Sequence, residues 1–162
     1  YDSSVPDEDL ENVIAHEAGH QWFYHMIGND PYKDPWLDEG LTEFVVSLYL
    51  YDKYNDKELA TFRPKMFTAG VGRVAVNQQI DEFNLINYGV GAYGMPAFKL
   101  WEYFESKGTI EDALDFLAAY YDRYLQAQVT TEEFVHFFEV YHGEHDHDFF
   151  NEWMDLDWES VH

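Results

Sequence analysis

The chain has no cysteine and very few basic residues. Its 162 residues include 9 Lys and Arg against 32 Asp and Glu, which gives a formal net charge of -23. Such an acidic chain lacks the cationic surface that binds nucleic-acid phosphates, so nucleic acid is not an expected partner. Without cysteine, no disulfide indicates an oxidising compartment. An extracellular and a cytoplasmic location therefore both fit, and the compartment stays unknown.

Long apolar runs are absent as well. No stretch approaches the roughly 18 residues that a membrane span needs, and no basic and then apolar signal peptide opens the chain. We therefore expect a soluble domain, with no membrane contact from this segment. The chain begins at Tyr1 instead of Met, with a predicted helix close behind. This start predicts a fragment of a longer chain, whose remaining domains are expected partners.

Apolar residues are plentiful and periodic. Hydrophobic residues make up 46% of the chain and aromatic residues 19%, so residues 1–162 are expected to fold as a single domain with a proper core. Ser4 and Asp7 form a capping-box pattern for a first helix that continues to about Ile27. Further helices are predicted at residues 35–54, 56–69, 96–106, 109–126, 130–141 and 148–154. The fold class is therefore mainly α.

The glycine-rich segment 70–94 is the least regular part of the chain. Its mixture of Gly, Asn and β-branched residues favours loops with at most one short strand. Any division of the domain would fall here. It would separate a lobe formed by residues 1–70 from a helical lobe formed by residues 93–162.

His16, Glu17 and His20 form the pattern HExxH. On a helix, the four-residue step brings both imidazoles to one face, with about 5–6 Å between their Cβ atoms. Two imidazoles and a carboxylate suit zinc and leave a position open for water. Glu17 lies about 100° around the helix from His16, beside that position, as a general base. The alternative is a chance pair of surface histidines, because short patterns recur.

The stretches HEAGHQWF and WLDEGLTEF, with eighteen residues between His20 and Glu39, resemble the gluzincin peptidases of the aminopeptidase N type. The resemblance implies the helical, C-terminal part of a thermolysin-like catalytic domain that acts on peptide or protein substrates. It also implies one zinc ion with His16, His20 and Glu39 as ligands and Glu17 as the base. The family usually has Asn where this chain has Asp38, a change outside the ligand set that we expect to leave metal binding intact.

A hydrolase of this type also needs a donor for the oxygen of the tetrahedral intermediate, and a Tyr hydroxyl can supply it. The stretch 93–97 is similar to a Tyr-x-Lys-Gly-Ala stretch of the family, so the resemblance favours Tyr93 as a catalytic residue. Tyr88, followed by Gly91 and Ala92, matches a shorter part of the same pattern and stays an alternative. A tyrosine packed in the core is the structural alternative.

Three further features leave choices open. Glu43, one turn beyond Glu39, could accept the outer N–H of a ligating histidine, or could be an ordinary solvated or salt-bridged glutamate. His25 lies about 140° around the helix from His20, so a structural role is favoured. The histidine-rich run 142–148 fits neither a helix face nor the usual zinc spacings, which favours a solvated loop over a second metal site.

Two functions follow from these observations. The first is zinc-dependent hydrolysis of peptide bonds that removes N-terminal residues. The second is a zinc-binding interaction domain, or a pseudo-peptidase without turnover on its own. This alternative stays open because the Gly-x-Met-Glu-Asn motif, which anchors the substrate amine in similar aminopeptidases, is not found in the fifteen residues before His16.

Overall fold

The computed structural model describes residues 7–161, with side chains from residue 10 onward. The predicted cap at Ser4 lies outside these residues. The structure is 68% helical, and its described residues form no β-strand, only two isolated bridges. The predicted mainly α fold is therefore confirmed. Among the helices of residues 7–161, none is both long and apolar enough to cross a membrane.

The α-helices follow one another with short connections. In chain order they are α1 (Asp7–Gly19), α2 (Pro35–Tyr54), α3 (Lys57–Thr68), α4 (Leu85–Tyr88), α5 (Met95–Lys107), α6 (Ile110–Tyr124), α7 (Thr131–His142), α8 (His147–Asn151) and α9 (Trp158–Val161). The helices predicted from residue 35 to 69 and from 96 to 141 agree with α2, α3, α5, α6 and α7. The side chains of Thr109 and Thr130 cap α6 and α7 in capping boxes, as their spacing predicts.

The first helix ends at Gly19, and its predicted extension to Ile27 is wrong. Residues 20–27 form turns, in which Tyr24 has a positive φ of 93° and donates its N–H to the carbonyl of Ile27. Gly19 and the aromatic residues after it have lower helix propensity than Ala or Leu. A Cβ at Gly19 would lie 2.8 Å from a methyl group of Thr42, so glycine also allows α1 to approach α2 closely.

The glycine-rich segment is more helical than its composition indicates. A short 3₁₀ helix (Ile80–Glu82) is followed by α4 and by a π-helical turn (Gly89–Gly94) that leads directly into α5. The expectation of loops with at most one short strand is therefore wrong for residues 85–94. Gly91 and Gly94 lie directly against the side chains of Phe83 and Phe67, where a Cβ would overlap. These glycines allow close packing, which a loop prediction from composition overlooks.

A core rich in aromatic side chains fixes the start of α2. Trp36 is fully buried and packs edge-on against Phe134 and Trp153, with ring centroids 5.0 and 5.6 Å away. Its indole N–H donates to the hydroxyl of Thr131 over 2.8 Å, and that hydroxyl donates to the carboxylate of Asp34 over 2.6 Å. Asp34 occupies the predicted N-cap position, but its side chain binds α7 instead of capping α2.

Candidate metal centre

The predicted ligand atoms of His16, His20 and Glu39 converge between α1 and α2. The Oε2 atom of Glu39 lies 3.0 Å from Nε2 of His16 and 3.4 Å from Nε2 of His20. His20 follows the last residue of α1, but its N–H still donates to the carbonyl of His16, over 3.3 Å. This bond continues the helical register, so the two imidazoles stay on one face, with ring centroids 4.7 Å apart.

This donor set fits a zinc ion in composition and spacing. Nitrogen and oxygen ligands about 2.0–2.2 Å from a tetrahedral zinc ion lie about 3.3–3.6 Å from one another. The two Glu39 contacts are close to that range, and the three ligand atoms all lie within 4.8 Å of one another. Two imidazoles and one carboxylate would leave a fourth position open.

The outer nitrogen of each imidazole faces a carboxylate. Nδ1 of His16 lies 3.2 Å from Oε2 of Glu43, and Nδ1 of His20 lies 2.7 Å from Oδ1 of Asp38. Acceptors in these positions favour a proton on Nδ1, so a metal ion that displaces the proton from Nε2 would find that nitrogen available as a ligand. The presence of Asp38 where the family usually has Asn is predicted to leave metal binding intact, because Asp38 lies outside the ligand set. Its contact with His20 gives it a direct influence on the orientation of that ring.

Glu43 both faces a histidine of the centre and forms a salt bridge, the two roles that the sequence left open as alternatives. It is 1% exposed, contacts His16 and accepts hydrogen bonds from Arg63 at 2.8 Å (Nε) and 3.3 Å (Nη2). Arg63 belongs to α3, so three helices meet at this carboxylate. Arg63 was not identified from the sequence, because an arginine on a helix carries no signal of its partner.

The charges at the centre favour a bound cation. Burial lowers the pKa of His16, but its contacts with Glu39 and Glu43 outweigh burial and raise the pKa to about 9. Hydrogen bonds to Asp38 and Glu39 raise the pKa of His20 to about 10, against the opposing effect of burial. Burial raises the pKa of Glu39, whereas His16, His20 and Tyr93 together lower it to about 2. The carboxylates that attract protons here would also attract a divalent metal ion.

Tyr93 lies at the edge of this centre. Its ring stacks on His16 with centroids 5.9 Å apart, and its hydroxyl group lies near the carboxylate of Glu39 and the hydroxyl of Tyr88. Burial and the charge of Glu39 raise the pKa of Tyr93 above its ordinary value, so the hydroxyl stays protonated. Tyr88 packs against Tyr93, with ring centroids 5.9 Å apart. The two tyrosines are thus neighbours, and Tyr93 is the one whose ring stacks on His16.

A close contact between helices positions Tyr93. Gly40, next to Glu39 in α2, lies against Pro96 and the carbonyl of Ala92, where a Cβ would come within 2.7 and 2.9 Å. The absence of a side chain at Gly40 therefore lets the π-helical turn approach α2.

Glu17 and His25 lie outside the group of converging ligand atoms. Glu17 follows His16 on α1, and its side chain is exposed. His25 is also exposed, and its Nδ1–H donates to the carbonyl of His20 over 2.7 Å. This bond supports the turn that follows α1, in keeping with the structural role favoured for His25.

Comparison with known proteins assigns the sequence to a family. Residues 1–153 match the peptidase family M1 domain. The chain is 31% identical to human (Homo sapiens) aminopeptidase N over 107 residues, which cover 56% of this chain and 11% of that protein. It is 28% identical to mouse (Mus musculus) aminopeptidase B over 153 residues, or 85% of this chain and 23% of that protein.

A third relative is leukotriene A-4 hydrolase of Xenopus laevis, 28% identical over 152 residues, which cover 83% of this chain and 24% of that protein. The chain thus spans about a tenth of the length of human aminopeptidase N and about a quarter of the other two relatives. No solved structure matches it significantly. Because the family match covers nearly all of the sequence, the chain belongs to peptidase family M1.

Proposed function

We propose that this chain carries the zinc centre of a peptidase that hydrolyses peptide bonds and removes N-terminal residues. In this proposal His16, His20 and Glu39 hold one zinc ion. The observation that carries it is the convergence of both Nε2 atoms on Glu39, while both Nδ1 atoms face carboxylates. Membership of the M1 family supports the same assignment.

Zinc bound by these residues would lower the pKa of a coordinated water to roughly 7 and polarise a carbonyl group. Glu17 adjoins His16 on α1, and its exposed carboxylate is accessible to substrate. Its carboxylate takes a proton from the attacking water and passes it to the nitrogen of the leaving amine.

Tyr93 supplies the hydrogen bond to the oxygen of the tetrahedral intermediate. This function requires a protonated hydroxyl beside the centre, and a tyrosine hydroxyl, with an ordinary pKa of about 10, is protonated at neutral pH. Its stacking on His16 fixes the ring at the edge of the ligand group. Tyr88 lies behind it as a neighbouring hydroxyl that stabilises the position of Tyr93.

The proposed substrate class rests on the names of the relatives. Two of them are named aminopeptidase N and aminopeptidase B, and we propose the same exopeptidase activity for the protein that contains this chain. The Gly-x-Met-Glu-Asn motif that would bind the substrate's free amine is not found before His16 in this sequence.

The test is hydrolysis of aminoacyl fluorogenic substrates and of longer peptides by this chain and by a longer polypeptide that contains it. Glu17→Gln should retain zinc and lower kcat by about 10²–10⁴-fold, the usual contribution of a general base. Glu58→Gln, at an exposed glutamate of α3, is the matched control and should keep full activity. If the zinc-loaded longer polypeptide cleaves no peptide, the proposal fails and a zinc-binding domain without turnover replaces it.

A further inference from the structure

A second group of metal-ligand side chains lies at the opposite end of the sequence. Glu139 belongs to α7, His145 lies in the turn after it, and His147 is the first residue of α8. Nδ1 of His145 lies 3.3 Å from Oε2 of Glu139, and Nε2 of His147 lies 3.5 Å from Oε1. The three ligand atoms are all within 4.8 Å of one another, as they are at the first centre.

The backbone after α7 builds this group. Gly143 ends the helix in the left-handed conformation, with φ of 68°. The N–H of Glu144 then donates back to the carbonyl of Glu139, over 3.2 Å. This reversal directs the following histidines over the last turn of α7. His145 and His147 can therefore approach a glutamate of α7, which the spacing of the histidines alone does not reveal.

Burial distinguishes this group from an ordinary surface cluster. Glu139 is 2% exposed, whereas the side chains of His145 and His147 are 71% and 41% exposed. A buried carboxylate is costly unless a positive charge faces it. The exposed imidazoles form the open side, through which an ion could enter and retain water ligands.

Aromatic packing and local charge favour the same conclusion. The ring of His147 stacks on Trp158 with centroids 3.8 Å apart and planes 12° from parallel, which restricts its rotation. The loop also carries Glu144 and Asp146, so its own charge attracts cations. Lys107 lies 3.5 Å from Glu144 and 3.7 Å from Asp146, and it offsets part of that charge at the outer edge of the loop.

We propose that Glu139, His145 and His147 form a second site for a divalent transition-metal ion. Two imidazoles and one carboxylate suit Zn²⁺, and imidazole also suits Cu²⁺ and Ni²⁺. Each imidazole nitrogen lies 3.3–3.5 Å from one oxygen of Glu139, close enough for both imidazoles to share an ion with that carboxylate. An ion in this position ties the end of α7 to the start of α8. The competing account is that His145 and His147 contact Glu139 without a bound ion.

The test compares zinc stoichiometry by elemental analysis after dialysis against buffered free Zn²⁺. The wild-type chain should bind one more zinc ion than a His145→Ala/His147→Ala variant. If the centre at His16 binds zinc, the total should fall from two ions in the wild type to one in the variant. If that centre binds none, the total should fall from one ion to none. The result is therefore independent of the centre at His16, and failure of either proposal can be recognised separately.

A matched control and a second variant complete the experiment. His136→Ala changes an exposed histidine of α7 outside the group and should keep the wild-type stoichiometry. His145→Ala removes a mostly exposed side chain, so it should melt like the wild type in EDTA and yet show a smaller zinc-dependent rise in Tm than the wild type. Equal zinc stoichiometry in the wild type and the double variant would overturn the proposal.

Discussion

Replacement of Glu43 by Gln tests whether the carboxylate behind His16 controls metal binding. The amide keeps the size of the side chain but removes the charge that faces His16 and Arg63. Glu43 is 1% exposed, so water does not replace the lost interaction. The variant should therefore bind zinc more weakly, because Nδ1 of His16 loses its charged acceptor and the ring loses a fixed orientation.

The structure sets the size of the effect. Loss of a carboxylate behind a ligating histidine lowers metal affinity by about 10–100-fold, equivalent to about 1.4–2.8 kcal/mol. Stability should fall independently of metal, because a charged hydrogen bond contributes about 1.5–3 kcal/mol. Arg63 is 26% exposed and can turn partly toward water, so we expect the lower end of that range. For a chain of this size, the corresponding fall in Tm is about 3–8 °C.

Zinc affinity is measured by competition with a chromophoric chelator, and Tm by circular dichroism in EDTA. Glu58→Gln is the matched control, because Glu58 pairs with Lys65 on the same helix as Arg63 but is 82% exposed. It should change stability by less than about 0.5 kcal/mol and leave zinc affinity unchanged. Zinc affinity of Glu43→Gln within a factor of two of the wild type would refute the argument that Glu43 orients His16.

Three further predictions concern the same centre. Tyr93→Phe should lower kcat by about 10²–10³-fold in the peptidase assay with zinc content unchanged, whereas Tyr88→Phe should lower it less than about tenfold; equal losses would contradict Tyr93 as the oxyanion donor. Gly40→Ala places a Cβ 2.7 Å from the proline ring at the start of α5 and should cost about 1–3 kcal/mol in urea unfolding. Gly72→Ala, with no atom within 4 Å of the added Cβ, should cost far less. Glu39→Gln should reduce zinc stoichiometry, and unaltered binding would remove Glu39 from the proposed ligand set.

Local signals in the sequence were sufficient for most helices. The capping boxes at Thr109 and Thr130 and the prolines in the first turns of α2 and α5 act over only a few residues, so they can be identified without knowing the fold. The four-residue step from His16 to His20 likewise places two imidazoles on one face, because helix geometry alone determines that relation.

Local signals were insufficient where tertiary contacts determine conformation. Composition favoured loops for residues 85–94, but glycines in this segment allow a helix to pack closely against Phe67 and Phe83. The apolar periodicity of the first helix continues past His20, and so it predicts a helix to about Ile27. The chain instead folds back in turns after Gly19.

The sequence by itself determined the helical class, most helix limits and the relation between the two histidines of α1, since these depend on residues within about one helical turn of each other. Only the tertiary structure decided which side chains from other parts of the chain contact these histidines and their neighbours. Arg63 reaches Glu43 from another helix, Asp38 contacts His20, and Glu139 joins histidines outside its own helix. The physical reason is that such contacts depend on how helices pack and how the chain reverses, and neither leaves a periodic signal in the sequence.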